Sequence, residues 1–145
     1  MGKKIHRSLL SFTAYGNPTA LKRHRPRKFG GNYDPSSGDK ADFLAKCMEY
    51  RPDTPYDIPL RLHLLFVFQR PKAHYRTGKY SKLLKDNAPK AHTSKPDLDN
   101  LVKFVCDALN GIFWKDDSVI FSLIVEKEYG ESPRIDLELD GEVEI

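Results

Sequence analysis

The clearest pattern in the chain lies at residues 60–68. Leu60, Leu62, Leu64, Phe66 and Phe68 alternate with Arg61, His63, Leu65 and Val67, the period of a strand with one apolar face. His63, in mid-strand with no second histidine at ligand spacing, reads as structural. A looser alternation over residues 7–14 predicts an earlier strand. Between them, Ser37 or Asp39 can cap a helix running to about Tyr50, with Phe43, Leu44, Cys47 and Met48 as its core stripe. The period changes again after Pro96. Leu98, Leu101, Val102, Val105 and Leu109 recur at the spacing of one buried helix face. Asp99, Lys103 and Asp107 line a polar face, and Asn110-Gly111 ends the helix. Residues 119–129 then alternate as a strand with both faces partly apolar. Residues 130–133 form a turn, and residues 134–139 alternate again as the expected hairpin partner.

This order is β-α-β, long loop, α-β-β. It predicts a single α/β domain (α+β-like) in which two main helices pack on a small mixed β-sheet. A chain of 145 residues suffices for one such core. Cys47 and Cys106 lie in helical patterns and form no metal or redox motif, which predicts buried, reduced thiols. The N-terminal apolar run is too short for a signal peptide, and His6 breaks the myristoylation pattern after Gly2. No stretch is long enough to span a membrane. A soluble cytoplasmic protein without a membrane partner is the expectation.

Charge divides the chain. Residues 1–96 hold 20 Lys and Arg against 7 Asp and Glu, whereas residues 97–145 hold 4 against 13. A basic half suits a polyanion, and an acidic half can collect carboxylates. The first basic cluster holds Lys22, Arg23, Arg25, Arg27 and Lys28. The second spreads over residues 70–95, with Arg70, Lys72, Arg76, Lys79, Lys82, Lys85, Lys90 and Lys95 against Asp86 alone. His74, His92, Tyr75 and Tyr80 are interleaved there. Cations with aromatics can hold phosphates and stack on bases. A solvated loop would have the same composition. The expected DNA contacts are Lys22, Arg23, Arg25, Arg27, Lys28, Arg70, Lys72, Arg76, Lys79, Lys82 and Lys85.

The acidic chemistry centres on Lys95-Pro-Asp-Leu-Asp-Asn100. Two helical residues at this spacing would point about 160° apart. Asp97 and Asp99 therefore converge only if Asp97 stands outside the helix, where Pro96 tends to place it. Asp97 is then a natural N-cap and Asp99 a first-turn residue, so both could simply satisfy the helix end. A second pair, Asp116 and Asp117, precedes the next strand. Neighbouring strand residues face opposite ways, so one of that pair would join a site, and parity does not say which. Hard divalent cations favour such oxygens. Lys103 could stabilise developing phosphate charge, or form a surface pair with Asp99. The chain has no Walker loop, GxSxG, HExxH or Cys/His cluster.

Asp97-Leu-Asp99-Asn-Leu-x-Lys103, then Asp107-Ala-Leu, then Trp114-x-Asp116-Asp117 resembles the RusA-type Holliday junction resolvase family. The likeness is closest over residues 95–120. Gly16-x-Pro18 followed by the Arg-rich stretch is similar to phage-borne members. The resemblance implies a homodimeric, Mg²⁺-dependent endodeoxyribonuclease, in which Mn²⁺ can substitute, that resolves four-way DNA junctions by paired nicks in recombination and repair. It implies Asp97, Asp99 and Asp117 as metal-binding carboxylates and Lys103 as the catalytic lysine. The 70–95 stretch has no residue-by-residue counterpart in compact members. Two other readings fit the residues: a non-catalytic nucleic-acid-binding module whose carboxylates are caps, and a Mg²⁺ nuclease for other branched or duplex DNA.

Overall fold

The structure is a computed structural model that describes residues 2–22, 25–26, 28 and 31–145, with Arg25, Pro26 and Asn32 described by their backbone alone. Its elements are β1 (Lys4–Tyr15), β2 (Arg25–Pro26), β3 (Asn32–Tyr33), α1 (Ser37–Cys47), β4 (Leu60–Gln69), α2 (Leu98–Leu109), β5 (Ile120–Gly130) and β6 (Arg134–Glu144). β2 and β3 pair as a minimal ribbon that the loop composition did not signal. α1 ends at Cys47, and Met48–Tyr50 tightens into a 3₁₀ turn.

The alternating face of β4 is the centre of the core. Leu60, Leu62, Leu64 and Phe66 are fully buried beneath both helices, with Leu101, Phe104, Val105 and Leu109 of α2 and Phe43 and Cys47 of α1. Phe43 and Phe104 meet at a ring separation of 5.8 Å where the helices touch. Truncating a residue such as Leu62 to Ala would cost about 2–5 kcal/mol through lost burial and the cavity left behind. Leu98, placed by periodicity on the buried face, is 40% exposed; it lies in the first turn, on the open groove between α2 and β5.

The sheet order is β1-β6-β4-β5. β6 runs antiparallel to both β1 and β4, and β5 runs parallel to β4. β5 and β6 are therefore not the hairpin expected from their short turn: β4 lies between them. Burial explains the exchange. Ile135, Leu137 and Leu139 of β6 are almost fully buried and need a central position, whereas Phe121, Leu123 and Ile124 of β5 are 45–52% exposed and tolerate an edge. Two strand spacings are about 10 Å. Four chain steps from Gly130 to Arg134 span that distance with slack.

Residues 70–95 are folded rather than irregular. Tyr75 and Leu84 form an antiparallel bridge, and the Arg76 and Lys85 amides donate to the Leu83 and His74 carbonyls at 2.8 and 2.9 Å. Farther on, Ala91 bridges Glu128, the His92 amide donates to the Lys127 carbonyl, and the Tyr129 amide donates to the Lys90 carbonyl. The segment thus pairs with the far end of β5 and covers that stretch of open edge, which unpaired strands otherwise expose.

Candidate active site

Asp97 is the N-cap residue of α2 by backbone geometry (φ −73°, ψ 152°), and its carbonyl accepts from the Leu101 amide at 3.2 Å. Its carboxylate makes no capping hydrogen bond. The extended conformation before the helix is the one that lets Asp97 and Asp99 avoid diverging. Asp97, Asp99, Lys103 and Asp117 are all exposed. No ion pair or hydrogen bond engages their charged groups among the described residues. In particular, Asp99 and Lys103 do not form the surface pair that their spacing permits. Both line a shallow groove with Leu98 and Val102 of α2 and Leu123 and Val125 of β5. Asp97 borders a second groove with Lys95, Pro96 and Asn100.

The second acidic pair is presented by a rigid turn. Trp114 is fully buried, and its indole Nε1 donates to Asn110 Oδ1 at 2.6 Å. The Gly111 amide donates to the Trp114 carbonyl, and the Lys115 amide to the Tyr56 carbonyl. Residues Asp117–Val119 then form a 3₁₀ turn, so β5 begins at Ile120 and strand parity does not govern the pair. Asp116 is committed to that turn: its Oδ2 accepts from the Ser118 amide at 3.2 Å. The Ser118 side chain, and then this amide bond, hold its carboxyl below the usual range. Asp117 keeps an unengaged carboxylate.

Topology fixes how far apart these groups lie. A crossover helix runs antiparallel to the parallel strands it joins. The first turn of α2 therefore lies by the end of β5, where Lys127 reaches Pro96. The Asp117 turn lies by the later turns: burial, then the charges of Asp117, Asp107 and Asp116, push the Cys106 thiol up to about 12. Seven residues of helix separate Asp99 from Cys106, about 10 Å. Among the described residues no three His, Cys, Asp or Glu groups are close enough to hold a metal ion. The donor chemistry suits a hard cation, which takes one or two carboxylates and keeps its waters.

The predicted DNA contacts fall into four groups. Arg23 and Arg27 lie outside the described residues, and Arg25 is described by its backbone alone. Lys22 sits 3.6 Å from Asp39, and Lys28 is exposed. Arg70 and Arg76 act as braces: Arg70 donates to the Pro89 carbonyl at 2.7 Å, and Arg76 pairs with Asp86 at 2.9 Å. Lys72, Lys79, Lys82 and Lys85 are exposed.

Lys127 was not singled out from the sequence. Its Nζ donates to the Ser94 carbonyl at 2.8 Å and to the Pro96 carbonyl at 2.9 Å, tying β5 to the chain just before Asp97. The signal was available: Lys127 shares strand parity with Leu123 and Val125 on the helix-facing side. His92 was likewise noted only as an interleaved histidine. It is buried, stacks on Phe68 at 4.0 Å and packs against Tyr129 at 4.8 Å.

The end of the molecule at the start of α2 thus presents an acidic helix mouth beside a lysine, on a mixed sheet with a basic appendage. The family described as Endodeoxyribonuclease RusA matches residues 15–140. The chain belongs to this family of endodeoxyribonucleases. It is also similar to the uncharacterized protein YqaN of Bacillus subtilis (strain 168), with 33% identity over 136 residues, 88% of this chain and 93% of that protein. No helix among the described residues is long and apolar enough to cross a membrane.

Proposed function

We propose that this chain is a Mg²⁺-dependent endonuclease that nicks four-way DNA junctions, acting as a homodimer in recombination and repair. The observation that carries the reading is the uncommitted state of its polar motif. Asp97 stands at the N-cap without capping, Asp99 and Lys103 share a groove without pairing, and Asp117 projects from a turn already satisfied by Asp116. Charges kept exposed and unpaired at four positions of one motif are better explained by an outside partner than by stability.

Asp97 and Asp99 are the carboxylates that would hold the cation at the helix start. A bound Mg²⁺ supplies positive charge to the scissile phosphate and a more acidic water. Lys103, one turn along the helix, neutralises charge developing on the phosphate. Asp117, by the later turns of α2, is the third carboxylate that the motif resemblance assigns to the metal, although within the chain it stands apart from Asp97 and Asp99. The basic segments bind the DNA arms, releasing counterions. Two opposed cuts in a near-symmetric junction require two equivalent sites, which a two-fold dimer provides.

The test is nicking of a synthetic four-way junction and of a linear duplex with the same arm sequences, in Mg²⁺, Mn²⁺ and EDTA. The reading predicts paired nicks in the junction alone, dependent on metal. Binding without nicking would favour a non-catalytic module, and equal cutting of the duplex would remove junction selectivity.

A further inference from the structure

The hairpin between His74 and Lys85 carries more than charge. Its tip is a 3₁₀ turn at Gly78–Tyr80, opened by Gly78 at φ 66°, a conformation that favours glycine. The Ser81 amide donates to the Gly78 carbonyl, and the Leu83 amide to the Tyr80 carbonyl at 2.9 Å. Three large apolar side chains project from it: Tyr80 is 51% exposed, Leu83 53% and Leu84 41%. Lys79, Lys82 and Lys85 stand among them, with the Lys79 ammonium 5.2 Å from the Tyr80 ring centre. A loop that only tracked phosphates would need the lysines and none of the apolar groups.

The hairpin is braced like a tool rather than a tether. Arg76 spans it, with Nε donating to the Leu84 carbonyl at 3.1 Å and Nη2 bonding to Asp86 at 2.9 Å. Its base is fixed to the sheet by the His74 ring edge-on to Tyr129 at 4.7 Å and by Arg70 on the Pro89 carbonyl. Little ordering is left to do on binding, so the apolar tip meets its partner preorganised.

We infer that Tyr80, Leu83 and Leu84 form a pin that inserts between bases at the branch point of the DNA, while Lys79, Lys82 and Lys85 hold the flanking phosphates. This rests on the reading of the chain as a branched-DNA enzyme and adds how it selects the branch. Apolar wedges at DNA steps stack on or displace bases, and in paired DNA each unstacked step opposes their entry. In the open form that a four-way junction takes without divalent metal, the base pairs at the branch point lack a stacking neighbour on one side, so entry there costs less than in continuous duplex. A tyrosine face stacks on a base irrespective of its sequence.

The experiment uses the full chain and a four-way junction with 2-aminopurine at the branch point, in EDTA so that cleavage plays no part. Wild type is expected to raise the fluorescence several-fold on binding. Tyr80→Ala with Leu83→Ala should leave it near the free-junction level while weakening affinity less than about tenfold, because the lysines remain. Tyr80→Trp should restore the signal. A Lys79→Gln, Lys82→Gln, Lys85→Gln variant should instead lose affinity and flatten its salt dependence. The pin is overturned if wild type gives no rise, if the Tyr80 and Leu83 double variant gives the wild-type rise, or if that variant loses affinity equally for linear duplex. Nicking in Mg²⁺, assayed on the same samples, separates the two ideas: wild-type cutting without a fluorescence change rejects the pin alone, and a fluorescence rise without cutting rejects the nuclease alone.

Discussion

The Lys127 ammonium donates to the Pro96 carbonyl at 2.9 Å, so an edge strand holds the residue immediately before Asp97. The same ammonium donates to the Ser94 carbonyl. Two charge-assisted hydrogen bonds fix the approach to α2 just where the backbone must stay extended for Asp97. Lys127→Met keeps much of the packing and removes both bonds, each contributing about 1.5–3 kcal/mol. Junction nicking is predicted to fall at least tenfold, with the Mg²⁺ concentration for half-maximal rate displaced upward and junction affinity in EDTA nearly unchanged. A metal titration of the cleavage rate checks this; a lower plateau at an unchanged metal midpoint would assign Lys127 to fold stability alone.

His92 gives the fold a sensitivity to acid. Its Nδ1 is buried with no hydrogen-bond partner among the described residues. Burial, then the nearby charge of Lys127, lowers its proton affinity. The sign follows from the direction of the shift. The unfolded chain takes up the proton near the ordinary value of about 6.5 while the folded chain does not. This contribution to stability is therefore complete above that range and is lost as pH falls through it. His92→Phe retains stacking on Phe68 and Tyr129 and removes the proton. Denaturant unfolding between pH 7.5 and 5.5 should show a smaller loss of stability in the variant than in wild type.

What could be read in advance depended on whether one element or a pair of elements decided it. The β4 alternation and the α2 periodicity are local patterns, and both elements formed where the pattern put them. Partner choice is not local. The short link between β5 and β6 signalled a hairpin, but the burial of Ile135, Leu137 and Leu139 draws β6 to the centre and leaves β5 at the edge. The basic stretch at 70–95 contains no long apolar run, so its hairpin, braced by Arg76 and Asp86, was invisible to periodicity. The candidate site shows the same division. The motif marks Asp97, Asp99, Lys103 and Asp117, whereas the antiparallel run of α2 against β5, which spreads them along the helix, belongs to the topology.

Lys103 tests whether the groove beside α2 is chemical or merely solvated. It is exposed and pairs with no acid among the described residues. Lys103→Ala should change stability by less than about 0.5 kcal/mol, as expected of an exposed helix position. Single-turnover cleavage should nonetheless fall by about a hundredfold or more if the ammonium stabilises the transition state. Denaturant melts and single-turnover rates on one preparation measure both. A cleavage rate within threefold of wild type would return Lys103 to the solvated surface.

Asp116 and Asp117 offer the sharpest comparison, because the two side chains are neighbours in sequence and opposite in circumstance. Asp116 accepts from the Ser118 amide and closes the turn after Trp114, and the Ser118 side chain, then that amide bond, lower its carboxyl pKa. Asp117 faces solvent with no partner in the described chain, while its charge is felt by the buried Cys106 thiol. Asp116→Asn keeps a side-chain oxygen that can still accept from Ser118, so the turn should persist and a measurable cleavage rate should remain. Asp117→Asn loses a full negative charge where nothing in the chain requires one for folding. It should retain the melting temperature of wild type to within a few degrees and lose metal-dependent cleavage. Both variants are to be assayed on one junction across a Mg²⁺ titration. A shifted metal midpoint for Asp117→Asn would mark a carboxylate in contact with the cation, and a lowered plateau alone would place it on the DNA or the attacking water. An inactive Asp116→Asn beside an active Asp117→Asn would mean that the turn itself, and not the free carboxylate, is what the reaction needs.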